Sequence, residues 1–331
     1  MSVSVSGSIG KSVSSSDCSA SFAKEVNNMH RIGFKKDLEN DENNYFNASL
    51  HCLTNIKSLS FFIISSAEQN SCYMQLVTSC FKGDNEINSK EINDNVNNLK
   101  KYIFETLQYN KEDNKPKDLI DFLLKDLKRN KLLPVSIIYN FQYKCNICKK
   151  ISEENNELKF IEFNIPEIIN CYNNKNKITI YDCFHYYFKS LNNENSIYFC
   201  ENCQGGNFEI LLKNLQDDLI IFIDYGKDKN VYNISYEFEE TINLKDFNNI
   251  NGEGKDKEFF LSSFIACINM GYPFETFYTF SREKKDSKYY MFNGMEVKPN
   301  MKVDNKLKKE KIDLKNMKES WPVVLVYTKN I

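Results

Sequence analysis

Two pairs of cysteines, Cys145 and Cys148 in YKCNICKK and Cys200 and Cys203 in YFCENCQGG, carry the most specific chemistry in this sequence. Two residues between the members of a pair let both sulfurs turn toward one centre. Two such knuckles supply four thiolates, the ligand set of a closed tetrahedral Zn2+ site. Four sulfurs leave no position for water or substrate, so the expected role of the metal is structural. Residues 149–199 separate the pairs, too many for a compact ribbon, and the intervening chain is expected to be a folded insertion whose ends the metal pins. The cysteine count is odd at 11, two pairs are tight, and the N-terminus lacks the basic start and apolar run of a secretory signal. Reduced thiols and metal are therefore expected rather than a disulfide framework, in the nucleus or cytoplasm. Cys52, Cys171, Cys183 and Cys267 stand singly among apolar residues and read as core.

Histidine usage limits the catalytic options. The chain has 3, at His30, His51 and His185, and none follows residue 185. Cysteine nucleophiles need an imidazole to make the thiolate and a third group to orient that imidazole. The chain beyond residue 185 therefore cannot supply an imidazole base. His51 and His185 both fall in helical, aromatic-rich patterns and read as structural.

The elements that must position these groups change character along the chain. Asn44 to about Ser65 carries Tyr45, Leu50, Leu53 and Ile56 at helical spacing, and Lys117 to Leu127 does the same. Gly83 to Lys101 is polar and Asn-rich, which predicts a loop or weak helix. From Ile137 onward come short β-rich runs, among them SIIYNFQYK, ELKFIEFNI, DLIIFIDY, FFLSSFIACI, FYTFSR, KYYMF and WPVVLVY, with one helix, Ile180 to Leu191, between them. Helices first and a long, mostly antiparallel β region afterwards predict an α+β fold. Residues 1–25 are Ser-rich and read as a disordered tail. A formal net charge of -2 gives no basic field for nucleic acid or acidic membrane. The many Tyr and Phe residues lack basic interleaving and read as core rather than a base-stacking platform. The longest apolar runs, such as Leu59 to Ile64, are too short to cross a bilayer, so a soluble protein is expected.

This layout resembles the ubiquitin-specific protease (USP) family, from about Gly33 to Tyr327. Tyr45, Asn47, Ala48, Leu50, Cys52 and Leu53 fit that family's Cys-box, N-T-C-Y-x-N-(S/A)-x-L-Q-x-L. KDLIDFLL, with Asp118 and Phe122, is similar to its Q-Q-D-A-x-E-F-L segment, and DLIIFIDY to its L-I-I-H-L-K-R-F strand. ISEENNELKFIEFNIPE resembles the strand after the first knuckle, and IYDCFHYYFKSLNNENSIYFCENC the helix leading to the second. KYYMFNG resembles the W-Y-x-F-(D/N)-D segment. The resemblance implies one domain over 26–331: a helical thumb (about 26–135), zinc-bearing β fingers (about 136–225) and an antiparallel β palm (about 226–331).

It also implies which positions would carry catalysis and that they have changed. Anchored on Tyr45 and Asn47, the nucleophile position falls on Asn44. The family's G-H-Y segment corresponds to ETFYTFSR, which puts Thr276 or Phe277 in place of the base, and Asn293 matches the orienting residue. The approach from Gly33 to Asn44 is longer than in the family and acidic, with Asp37, Glu39, Asp41 and Glu42 set to repel a developing oxyanion or simply to form a solvated loop. The expected function is an inactive USP-like binding or scaffold module whose partner is ubiquitin, a ubiquitin-like protein or a protein assembly factor. Inactive family members lacking both groups serve in mRNA processing, including spliceosome assembly. The alternative is a working deubiquitinase with another nucleophile, Cys52 or Cys267; Cys52 lies eight residues beyond Asn44, about 12 Å along a helix, and cannot stand in for it directly. Neither nucleic acid nor membrane is expected as a direct partner.

Overall fold

The computed structural model describes residues 34, 44–66, 68, 71–81, 86–110, 115–134, 139–158, 160–172, 175, 177–194, 200, 202–203, 208–212, 217–226, 231, 234–244, 258–268, 275–282, 289–293, 296–299 and 320–329. The Ser-rich segment 1–25 lies outside them. Among the described residues five helices come first: α1 (Asn44–Thr54), α2 (Lys57–Ser66), α3 (Cys72–Cys80), α4 (Glu86–Lys101) running into a π-helical turn (Tyr102–Thr106), and α5 (Pro116–Arg129). α1 is buried on every side, from Tyr45 to Thr54. Its polar side chains are satisfied by its own carbonyls: Ser49 Oγ donates to Tyr45 O at 2.7 Å and Thr54 Oγ1 to Leu50 O at 2.8 Å. α5 starts with Pro116 in its first turn, where a missing N–H costs nothing. It stops at a left-handed Lys131 (φ 58), with Leu132 N–H on Leu127 O at 2.7 Å and Lys131 N–H on Lys128 O at 3.0 Å, the paired bonds of a Schellman end.

α4 corrects the expectation of a loop or weak helix. Its composition is poor for a helix, yet Ile92, Val96, Leu99 and, one turn further on, Ile103 form a narrow apolar stripe, all buried. Burying that stripe outweighs the low propensity of its asparagines, which cost tenths of a kcal/mol each.

The strands of the described residues form three sheets. β1 (Tyr139–Cys145), β2 (Ile151–Leu158) and β5 (Phe208–Leu212) make a small antiparallel sheet in the order β2-β1-β5. β4 (Lys177–Thr179) and β7 (Ser235–Glu237) form a parallel pair. The large sheet has eight strands: β12 (Glu296–Pro299), β11 (Tyr290–Asn293), β10 (Thr276–Ser281), β9 (Glu258–Ile268), β13 (Ser320–Lys329), β6 (Asp218–Asp224) and β3 (Ile161–Asn164) in that order, with β8 (Thr241–Asn243) also on β9. Antiparallel pairing dominates as expected, although β3 joins β6 in parallel. β3 ends because Asn164 turns to cap α6 (Ile165–Cys171), its side chain accepting the Glu167 N–H at 3.4 Å. α7 (Ile180–Glu194) follows β4.

The large sheet separates two cores. Ile220, Phe222, Ile265, Cys267, Val324 and Val326 face the five N-terminal helices. Their neighbours Leu219, Ile221, Ile223, Phe264, Ala266, Leu325 and Tyr327 face the other way, toward α6 and α7. Successive side chains on a strand alternate faces, so a strand covered on both sides must be apolar throughout; this explains runs such as LIIFI and VVLVY. Among the described residues, no helix is long and apolar enough to cross a membrane.

Candidate functional site

The four sequence-predicted metal ligands meet at the tip of the small sheet. β1 ends at Cys145 and turns back through Cys148 into β2. The Lys149 N–H bonds Cys145 O at 2.9 Å, the Cys145 N–H bonds Lys150 O at 2.9 Å, and Lys149 adopts φ 60 to make that turn. The second knuckle is closed by the Cys203 N–H on Cys200 O at 3.1 Å. All four sulfurs lie within 4.8 Å of one another, with Cys145 Sγ 4.0 Å from Cys203 Sγ and Cys148 Sγ 3.6 Å from Cys200 Sγ. A disulfide needs about 2.05 Å. Four ligands about 2.3 Å from zinc stand about 3.8 Å apart at the corners of a tetrahedron, so the donor set and spacing fit Zn2+.

Thiol acidities diverge within the cluster. The backbone N–H of Cys148 stabilises a Cys145 thiolate, lowering its pKa to about 7, against the desolvation of that sulfur. Cys203 is pushed up to about 12, first by the hydrogen bond with Cys148, then by burial and the neighbouring sulfurs. One thiolate forms readily and its charge opposes the next, unless a cation neutralises them together.

The second group of sequence-predicted positions falls at one end of the layer that α1 makes with β10 and β11. Thr279 Oγ1 on β10 donates to Ala48 O on α1 at 2.8 Å. Farther along both elements, Ser263 Oγ reaches Cys52 Sγ at 3.9 Å and Ser281 Oγ at 2.6 Å. α1 and β10 therefore run in the same sense. One helical turn back from Ala48 is Asn44, about 6 Å away, and two strand residues back from Thr279 is Phe277, about 6.6 Å away. Asn44 on α1 and Thr276 and Phe277 on β10 therefore lie toward the same end of the layer. β11 runs the other way, with Phe292 opposite Thr279, so Asn293 follows toward the same end. Asn44 and Thr276 are half-buried and Phe277 is buried. An amide and a hydroxyl cannot generate a thiolate or hold a proton as a base at neutral pH. Gly33 and the acidic stretch Asp37 to Glu42 lie outside the described residues.

The two alternative nucleophiles are enclosed. Cys52 is 1% exposed, and burial raises its thiol to about 12 against a hydrogen bond from Ser263. Cys267, opposite Phe277 in the β9–β10 register, is fully buried, and burial raises its pKa well above the ordinary thiol range, with Glu275 adding to the effect and Lys115 opposing it. Cys183 is core as expected. Cys171 is not: α6 turns Ile165 and Ile168 inward, and the next inward position in helical order is Tyr172, which leaves Cys171 exposed. His51 is buried and structural, its ring stacked on Phe34 at 3.8 Å and lying 4.6 Å from Phe292, with Nε2 accepting the Phe34 N–H at 3.3 Å. His185 is exposed on α7.

Sequence patterns did not disclose the Thr279–Ala48 bond, the Phe34–His51 clip or a buried carboxylate, Asp218, that joins α2 to the sheet. Each links residues far apart in the chain, and a single Thr, His or Asp carries no spacing signal.

No protein-family model matches the sequence, and no curated protein matches it. Solved structures do. The SAGA DUB module Ubp8/Sgf11/Sus1/Sgf73 bound to monoubiquitin is similar with a TM-score of 0.60 at 12% identity, over 92% of this chain and 70% of that chain. The same module bound to ubiquitin aldehyde gives 0.60 at 12%, over 92% and 71%. The yeast SAGA DUB module with an Sgf73 variant gives 0.55 at 13%, over 92% and 70%. At such identity the likeness concerns the fold alone. The chain has the USP-type α+β fold: a helical thumb, β fingers with a four-cysteine cluster able to hold zinc, and a β palm.

Proposed function

We propose that this chain uses a USP-type fold for binding rather than hydrolysis. What supports the reading is that α1 and β10 begin and β11 ends toward one end of their layer, and that Asn44, Thr276 and Asn293 at those positions include neither a thiol nor an imidazole. Asn293 would be the remaining member of the family's triad, with no imidazole to orient. Burial of Cys52 and Cys267 and their raised thiol pKa values speak against either as a substitute nucleophile. Ubiquitin is the first partner to consider, because the similar structures hold monoubiquitin or ubiquitin aldehyde within multi-protein modules. A ubiquitin-like protein, or an assembly factor of a ubiquitin-related or mRNA-processing complex, fits the same scaffold role. Zn2+ held by Cys145, Cys148, Cys200 and Cys203 would brace the fingers, and the protein would work in the nucleus or cytoplasm.

Treatment of the zinc-loaded full chain with a ubiquitin bearing a C-terminal electrophile tests the loss of catalysis. No adduct is expected, and an adduct on Cys52 or Cys267 would establish a working deubiquitinase instead. Calorimetric titration with unmodified ubiquitin then separates a ubiquitin binder, which gives a saturable signal, from a scaffold that has lost that partner.

A further inference from the structure

We propose that Asp218 is a proton-linked latch between the thumb helix α2 and the palm sheet, fastening the joint when neutral and loosening it when ionised. Asp218 opens β6 and is 1% exposed. Its Oδ2 accepts the hydroxyl of Ser58 on α2, and its Oδ1 accepts Thr328 Oγ1 on β13 at 2.9 Å. Thr328 Oγ1 lies 3.0 Å from Ser262 Oγ on β9, which in turn reaches Val326 O at 3.1 Å. One carboxyl thus connects a helix with three neighbouring strands through hydroxyls. The charged groups that act on it are Asp217, next to it in the chain, and Lys329 on β13; Lys57 precedes Ser58 in α2, and Glu258 opens β9. Lys329 pairs with Asp217 at 3.5 Å and is shared between the two carboxylates.

Hydroxyls can serve both protonation states because their hydrogens rotate. With Asp218 ionised, Ser58 and Thr328 donate to it. With Asp218 neutral, its own O–H donates to Thr328 Oγ1, Thr328 donates to Ser262, and Ser262 donates to Val326 O. The neutral state therefore keeps the network closed and gains one donor, whereas the ionised state places a net charge in the buried joint. Burial accordingly raises the carboxyl to about 6, against the Ser58 and Thr328 hydrogen bonds that lower it, with Asp217 raising and Lys329 lowering it further. Since the folded value exceeds the unfolded 3.8, the stabilising contribution is complete below about pH 3.8 and is lost as pH rises through about 6. Paired carboxylates, whose pKa falls on folding, do the opposite.

The test compares urea unfolding of the zinc-loaded full chain with its Asp218→Asn variant from pH 5 to pH 8, with zinc content measured at each pH. Subtracting the two curves removes the titrations they share. Linkage predicts that the wild type loses about 10-fold in its folding equilibrium relative to the variant over that interval. Parallel curves would overturn the latch. Should Asp218→Asn not fold, Ser58→Ala keeps the carboxyl and removes one stabilising donor. Carbon-13 NMR should then place the Asp218 carboxyl midpoint near pH 6 in the wild type and higher in Ser58→Ala; a wild-type midpoint below about 4.5, or one that Ser58→Ala leaves in place, would sink the proposal.

Discussion

At the tip of β1 four sulfurs come together from two short turns, each closed by its own backbone hydrogen bonds. At the start of β10, Asn44, Thr276 and Asn293 approach one end of a layer from three elements far apart in sequence, and the register of α1 on β10 sets their height. In the first region the four cysteines that could hold a metal are also the residues on whose backbone the turns close. In the second, Thr279, Ser263, Phe292 and the apolar core hold the elements whatever residue stands at their ends. Such a framework can keep its shape while its reacting groups change. This is a physical route by which a fold outlasts a chemistry.

The largest effect is expected at the metal tip. Structural zinc sites carry apparent binding energies of about 10 to 16 kcal/mol, comparable to the stability of a whole domain. Cys145→Ser should abolish stoichiometric zinc in elemental analysis and disorder the fingers by NMR, while the α1–β10 layer keeps its amide protection. A folded, metal-free wild type would erase the contrast between the regions.

The next effect is a truncation at the clip. His51→Ala empties a buried slot between Phe34 and Phe292 and leaves the Phe34 N–H without its acceptor. A loss of about 2 to 4 kcal/mol in urea unfolding is expected, from cavity formation plus an unsatisfied donor. Zinc content should not change. A smaller loss, about 1 kcal/mol, is expected for Thr279→Val, which keeps the shape at a fully buried site and deletes one hydrogen bond to Ala48 O. If that variant also lowers zinc occupancy, the two regions are coupled and the contrast above fails.

The smallest expected effect is at Asn44 and Thr276 themselves. Asn44→Cys restores a thiol without an imidazole, so its pKa should stay near 8.5, mostly protonated at neutral pH. Turnover of a fluorogenic ubiquitin C-terminal substrate should remain at background, and Asn44→Cys with Thr276→His should recover little. A missing oxyanion donor alone costs about 100- to 1000-fold. Robust activity in the double variant would sharpen the comparison in another direction, by demonstrating that a thiol and an imidazole at these two positions are all that catalysis on this fold requires.

Several features were open to a reading of residues alone, for identifiable reasons. α1 and α5 have broad apolar stripes, the β region has continuous apolar runs, and the two C-x-x-C pairs have a spacing that few other roles share. α4 was obscured because only a narrow stripe of its surface is apolar, and α3 and α6 are too short for a period to stand out. The placement of Cys171 was misjudged because apolar neighbours in sequence say nothing of which side of a two-turn helix they occupy.

By itself, the sequence determined that helices precede a long β region, that four cysteines stand as two tight pairs, and that no histidine follows residue 185. Those are matters of residue type and short spacing, set by local backbone geometry and side-chain chemistry. Only the tertiary structure decided that the large sheet divides two cores, that α1 and β10 run in the same sense, that Cys52 and Cys267 are buried, and that Asp218 is buried among hydroxyls. These depend on contacts between residues tens to hundreds of positions apart. Burial, register and the pKa of an enclosed group are set by what packs around it, which no local pattern in the chain encodes.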